Sequence, residues 1–144
     1  MVIKGYSQMK KIYELDGDKI KNLEDFFTVF GEMVNGKGGY FGKNMDSFDD
    51  CLFGGYGLDE QVEIEWKNHK VSSAHLGYQA LVDWCEARIR SGDYLDEEGL
   101  AYLEKTLDEA RNKSGDTMFD ILVETMESVS ERSDGRRNIK LTLL

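Results

Sequence analysis

Three short segments of alternating apolar and polar residues lie far apart in this chain, and long amphipathic segments separate them. The strand-like segments cover residues 11–15, 61–66 and 138–144. Strands that are joined through helices pair in parallel, whereas antiparallel neighbours need only a short turn. The order of the segments therefore predicts an α/β fold in which a small three-stranded parallel sheet packs against helices.

Apolar residues that recur three and four positions apart predict the helices between these strands. Helices are expected over residues 22–34, 44–53, 73–90 and 96–113. A last helix, capped by Ser114 or Asp116, is expected to extend to residue 129. No linker or internal repeat divides the sequence, so residues 1–144 are expected to form a single domain.

The charge of the chain limits the kinds of partner that it can bind. Its formal net charge is −10 at pH 7, which argues against a broad basic surface for nucleic acid or for an anionic membrane. A basic protein partner is compatible with this charge, although acidity can also serve solubility alone.

The two cysteines, Cys51 and Cys85, have no spacing that is typical of a zinc or redox site. Two free thiols fit a reducing compartment. Residues 1–11 lack the apolar run of a signal peptide, and no apolar segment reaches membrane-spanning length. The sequence therefore predicts a cytoplasmic protein without a metal or another cofactor.

A short acidic helix is predicted over residues 44–53. Asn44 is a favourable N-cap, and the apolar stripe consists of Met45, Phe48 and Leu52. Asp46 and Asp50 stand four positions apart and point the same way, at a cost of about 0.2–0.5 kcal/mol. Asp49 projects beside them. A positively charged partner would explain this crowding of carboxylates, although carboxylates on an exposed helix face are often inert.

This helix and the loop before it resemble the inhibitor segment of the barstar family. The family pattern is an aromatic pair, a glycine, any residue, an asparagine, an apolar residue, an aspartate, and a second aspartate four positions later. Here the pattern is met by Tyr40, Phe41, Gly42, Asn44, Met45, Asp46 and Asp50. Residues 62–66 are similar to the second strand of the family, including its Glu-Trp ending.

Three features depart from the family pattern. The prototype uses a glutamate near the start of its last helix, and the corresponding residues here, 112–116, contain none. Asp49 stands where the prototype of the family carries a tryptophan. Residues 73–113 are also longer than the corresponding part of the prototype, which places an extra helix, near residues 96–113, before the last helix.

The resemblance implies a small three-stranded parallel sheet and a non-enzymatic inhibitor or immunity protein of the toxin–antitoxin kind. Such a protein would neutralise a basic ribonuclease toxin by placing the acidic helix in its active site. Asp50 would make the central contact, Asp46 a second and Asp49 a third. The remaining site residues, which would shape the approach, are Tyr40, Phe41 and Asn44. Phe41 could equally be a core aromatic, and Asn44 is in the first place a helix cap.

An alternative function is a non-inhibitory adaptor that uses the same fold. Its interface would lie on the added helix, through residues such as Leu100, Tyr102 or Leu107, and substitutions at Asp46 and Asp50 would then be silent. A weaker alternative is an enzyme that uses the clustered carboxylates as acid and base, but no histidine stands near them in the sequence. The sequence leaves the oligomeric state open.

Overall fold

The computed structural model describes residues 10–144. This part of the chain contains three strands and seven α-helices. In chain order they are β1 (Lys11–Asp16), α1 (Leu23–Asn35), α2 (Met45–Leu52), β2 (Gln61–Lys67), α3 (His69–His75), α4 (Tyr78–Ser91), α5 (Glu97–Arg111), α6 (Met118–Glu127), α7 (Val129–Arg132) and β3 (Asn138–Leu143).

The three strands form one parallel sheet in the order β1–β2–β3. Tyr13 of β1 lies opposite Ile64 of β2, which in turn lies opposite Leu141 of β3. Because β2 is the central strand, its apolar residues are fully buried. The predicted α/β fold with a three-stranded parallel sheet is confirmed, and so is the extra helix, α5, before the last helices.

A cluster of aromatic side chains joins α1, α2 and the central strand. The Phe48 ring of α2 packs edge-on against Phe30 and Phe26 of α1, with ring centroids 5.0 and 5.2 Å apart. Phe26 also contacts Trp66 of β2 at 5.5 Å. Each such pair contributes about 0.5–1.5 kcal/mol beyond the burial of apolar area. The position of the short acidic helix is therefore fixed by the core.

The single helix predicted over residues 73–90 was wrong, because the structure has two helices there. α3 begins at His69, directly after β2, and α4 begins at Tyr78. Between them, the carbonyl oxygen of Leu76 accepts a hydrogen bond from the backbone N–H of Phe119, at 2.8 Å. This contact with the start of α6 takes an acceptor that a continuous helix would use internally.

The predicted cap of the following helix was also wrong. Thr117, not Ser114 or Asp116, caps α6, and its side-chain oxygen accepts a hydrogen bond from the backbone N–H of Asp120. The Asp120 side chain accepts in turn from the N–H of Thr117, which completes a capping box.

None of the helices described within residues 10–144 has the length and apolar character that a membrane-spanning helix needs.

Candidate functional site

The start of the acidic helix α2 is held by a capping box. The Asn44 side chain accepts a hydrogen bond from the backbone N–H of Ser47 at 2.8 Å, and the Ser47 hydroxyl accepts one from the N–H of Asn44 at 3.1 Å. An N-cap of this kind contributes about 0.5–2 kcal/mol. The side chain of Asn44 is therefore occupied within the helix, as its sequence context predicts.

The loop before α2 passes so close to the helix that only glycine fits at position 42. Gly42 has a φ of +85°, and a Cβ atom there would lie 2.5 Å from the backbone of Phe48. The neighbouring Phe41 is fully buried, with its ring 5.0 Å from that of Phe30. Phe41 thus lies in the core, where it shapes the loop and presents no surface of its own.

Tyr40 is exposed and forms an aromatic pair with Tyr56. Their ring centroids are 6.0 Å apart, and both side chains are about half exposed. Asn35 joins the two loops, because its side-chain amide donates hydrogen bonds to the backbone carbonyls of both tyrosines at 2.8 Å. Tyr56 was missed in the sequence, where its only signal is an aromatic residue within the glycine-rich turn of residues 54–57.

Two of the three aspartates of α2 are paired with arginines from distant helices. Asp46 lies 3.2 Å from a guanidinium nitrogen of Arg88 in α4, and Arg88 also reaches Asp93 at 3.5 Å. The guanidinium group stacks over the ring of Trp84 at 5.0 Å. The Arg88 side chain is only 17% exposed, but that of Asp46 remains 67% exposed, so Asp46 stays accessible to a second cation.

Asp49 makes the more complete ion pair. Both of its carboxylate oxygens accept hydrogen bonds from the guanidinium group of Arg132, at 2.8 and 3.0 Å. Arg132 also donates to the hydroxyl of Ser128 and to the backbone carbonyl of Thr125, and it stacks over Phe53 at 5.0 Å. Bidentate pairs of this kind are geometrically specific. Asp49 is therefore tied to the C-terminal part of the chain.

Asp50 differs from its two neighbours. It is exposed, and its carboxylate has no ion pair or hydrogen bond with any group in residues 10–144. The helix holds it in place from the opposite side, where Phe48, Cys51 and Leu52 are buried. Asp50 is thus an exposed carboxylate on a helix whose position the core fixes, and it is available to a partner.

A groove of about 660 Å³ lies between α2 and the added helix α5. We call it the α2–α5 groove. Its acidic and basic side chains are Asp46, Asp49, Arg88, Asp93, Asp96, Glu124 and Arg132, and its apolar side chains include Met45, Trp84, Tyr94, Leu95, Tyr102 and Leu103. Leu95 is fully exposed, and Tyr102 is 57% exposed.

The added helix contributes less surface than the sequence suggested. Of the three candidate interface residues on α5, Leu107 is buried in the core and Leu100 is half-buried. Only Tyr102 presents most of its side chain to solvent. Leu95, which precedes the helix, is the exposed apolar residue that the helix periodicity did not indicate.

Neither cysteine of the described residues is a reactive thiol. Burial, and then the charge of Asp50, raise the pKa of the Cys51 thiol, and burial raises the pKa of Cys85 to about 11. Both thiols are therefore protonated and shielded at neutral pH. Among residues 10–144, no group of three or more His, Cys, Asp or Glu side chains could hold a metal ion.

The model of one protein family, Barstar (barnase inhibitor), matches residues 10–93, which is more than half of the 144 residues. The chain belongs to the barstar family. Neither the curated proteins nor the solved structures gave a match. The family consists of ribonuclease inhibitors rather than enzymes, so its partners are proteins. The match covers β1 to α4, and α5 to β3 lie beyond it.

Proposed function

We propose that this chain inhibits a basic ribonuclease toxin by placing the exposed face of α2 in the toxin's active site. Family membership supports the class of partner. The observation that carries the proposal is the state of Asp50, which is exposed, unpaired among the described residues and carried on a helix that packs against the core. An active site that binds RNA phosphates must present cations, and a fixed carboxylate can take the place of a phosphate.

Asp50 makes the central contact in this proposal, and Asp46 makes the second. Asp46 can do so because its interaction with Arg88 leaves most of its carboxylate exposed. Asp49 is the weakest of the three candidates, since Arg132 already binds both of its oxygens. A partner cation would reach Asp49 only in competition with that arginine.

The remaining site residues support the approach in different ways. Tyr40, with Tyr56, offers an exposed aromatic surface beside the start of α2. Asn44 caps the helix, and Phe41 anchors the loop in the core. These two residues therefore act by positioning, and only Tyr40 is expected to touch the partner.

The cell compartment belongs to the same proposal. Both cysteines are buried free thiols, which supports a reducing compartment such as the cytoplasm. An immunity protein in the cytoplasm would protect the cell's own RNA from the toxin, without any catalytic activity of its own.

The experiment is an RNA-hydrolysis assay with two enzymes. One is barnase, as a probe of the enzyme class, and the other is a ribonuclease captured from the source cells on the immobilised wild-type protein. Asp50→Asn is expected to weaken inhibition by about 2 kcal/mol or more, roughly 30-fold in Kd, as the loss of a binding hot spot does.

The matched control for this assay is Glu104→Gln, which removes the same charge from an exposed position on α5 outside the α2–α5 groove. This control should inhibit like the wild type. Equal inhibition by the wild type and Asp50→Asn would show that Asp50 is not the central contact. If the wild type inhibits neither enzyme, the proposed function is wrong.

The adaptor function remains the alternative, and one observation favours it. Tyr102 and Leu95 expose apolar surface in a part of the chain that lies beyond the family match. An adaptor that binds through this surface would lose its partner on Tyr102→Ser and keep it on Asp50→Asn. An inhibitor that binds through α2 would lose more affinity on Asp50→Asn than on Tyr102→Ser.

A further inference from the structure

The α2–α5 groove presents a combination of apolar surface and negative charge that the acidic helix alone does not have. We infer that this groove binds a basic segment of the partner protein that carries one large apolar side chain. The inference rests on the proposed function, because it gives the same basic partner a second contact.

The apolar part of the argument comes from the walls of the groove. Tyr102 and Leu95 form exposed apolar surface at its edge, and Met45, Trp84 and Leu103 line it. Single exposed apolar residues are common on protein surfaces, but these line one concavity. Its volume of about 660 Å³ lies within the range of about 300–1,000 Å³ that is usual for binding clefts. The groove can therefore accept a large side chain such as leucine or tryptophan.

The electrostatic part of the argument comes from the balance of charges. The groove is lined by five carboxylates and two guanidinium groups. The guanidinium groups of Arg88 and Arg132 are already bound by Asp46, Asp93 and Asp49. The surplus is therefore negative, and an incoming acidic segment would find no unpaired cation among the described residues of the lining. Lysine or arginine side chains beside the apolar residue would complement this surplus.

The groove is also continuous with the face of α2. Met45, Asp46 and Asp49 belong both to α2 and to the lining of the groove. Asp50 lies on the same eight-residue helix. A protein that covers Asp50 would therefore have surface next to the mouth of the groove, and one basic segment could fill it.

The test uses short capped peptides and the full-length protein labelled with ¹⁵N. The probes are Lys-Lys-Trp-Lys-Lys, Glu-Glu-Trp-Glu-Glu and Lys-Lys-Gly-Lys-Lys. The first peptide is expected to shift the backbone amide signals of groove residues such as Met45, Gly99 and Thr125 in a saturable way. Binding of the acidic and the glycine peptides should be at least about tenfold weaker, because each lacks one of the two complementary features.

A pair of protein variants tests the location. Leu95→Ser combined with Tyr102→Ser removes the exposed apolar edge, and both positions are exposed enough for the fold to tolerate the change. This variant should bind the first peptide at least about fivefold more weakly, because it loses apolar contact area. The control is Val71→Ser, an exposed apolar position on α3 that does not line the groove. It should bind like the wild type.

Several results would overturn the inference. They are equal shifts with the acidic peptide, shifts that spread over the surface without saturation, and unchanged binding by the double variant. The titration contains no ribonuclease. Failure of the groove proposal therefore leaves the inhibition assay unaffected, and a failed inhibition assay leaves the titration result standing.

Discussion

Replacing Asp50 by asparagine should stabilise the isolated protein while it weakens binding. Asp50 lies in the last turn of α2, where a negative charge opposes the helix dipole, at a cost of about 0.3–1 kcal/mol. Asp46 stands one turn earlier, and repulsion between like charges at this spacing costs about 0.2–0.5 kcal/mol. Arg88 neutralises part of the charge of Asp46, so the lower end of the second range applies.

No interaction within the described residues is lost by this substitution, because the carboxylate of Asp50 has no partner there. The expected gain in the free energy of unfolding is therefore about 0.5–1 kcal/mol at low salt. Salt screens exposed charges, so the gain should shrink at about 0.5 M NaCl.

Urea unfolding followed by tryptophan fluorescence measures this gain, since Trp66 is fully buried in the folded state. The control, Glu104→Gln, removes an exposed charge from α5 and should stay within about 0.5 kcal/mol of the wild type. A loss of stability in Asp50→Asn would refute the reasoning, because it would mean that the carboxylate has a stabilising partner within the chain. If the variant is more stable and still inhibits the ribonuclease, the unfavourable negative charge of Asp50 is not needed for inhibition.

Three further experiments test other parts of the structure. In a double-mutant cycle, Asp49→Ala and Arg132→Ala should show a coupling energy of about 0.5–1.5 kcal/mol in urea unfolding, because the ion pair is bidentate but partly exposed. A coupling energy of zero would contradict the ion pair. Gly42→Ala should lower the free energy of unfolding by more than about 1 kcal/mol, because of its positive φ and the contact with Phe48, and an unchanged Tm would contradict that contact. Burial raises the pKa of Cys85 from 9.0 to about 11, so the unfolded thiol loses its proton first. The stabilisation by the neutral thiol is complete below pH 9, and it falls by on the order of 2 kcal/mol as the pH rises towards 11. Cys85→Ala should remove this part of the pH dependence of the free energy of unfolding.

The features that depend on neighbouring residues could be predicted from the sequence. The three strands, the apolar stripe of α2 and the Asn44 cap follow from local periodicity and capping chemistry, and the structure contains all of them. The parallel pairing followed from the helices between the strands. The single domain that the sequence favours over residues 1–144 stays a prediction.

The features that depend on distant residues could not be predicted in this way. Asp49 and Arg132 are 83 positions apart, and no spacing in the sequence indicates that they meet. The break between α3 and α4 has the same origin, because the backbone of α6 takes the carbonyl of Leu76. Local periodicity favours one helix there, and a tertiary hydrogen bond overrides it.

The C-terminal half changes the surface next to the central carboxylate. Asp49 stands where the prototype of the barstar family carries a tryptophan. In this chain, that position carries a salt bridge to Arg132, and the exposed apolar surface is instead supplied from across the groove by Leu95 and Tyr102. The family match ends at residue 93, and it therefore excludes Arg132, Leu95 and Tyr102. A partner that fits this chain should therefore present its apolar side chain to Leu95 and Tyr102 and not to position 49. Under the proposed function, this arrangement would favour a toxin whose apolar side chain reaches Leu95 and Tyr102.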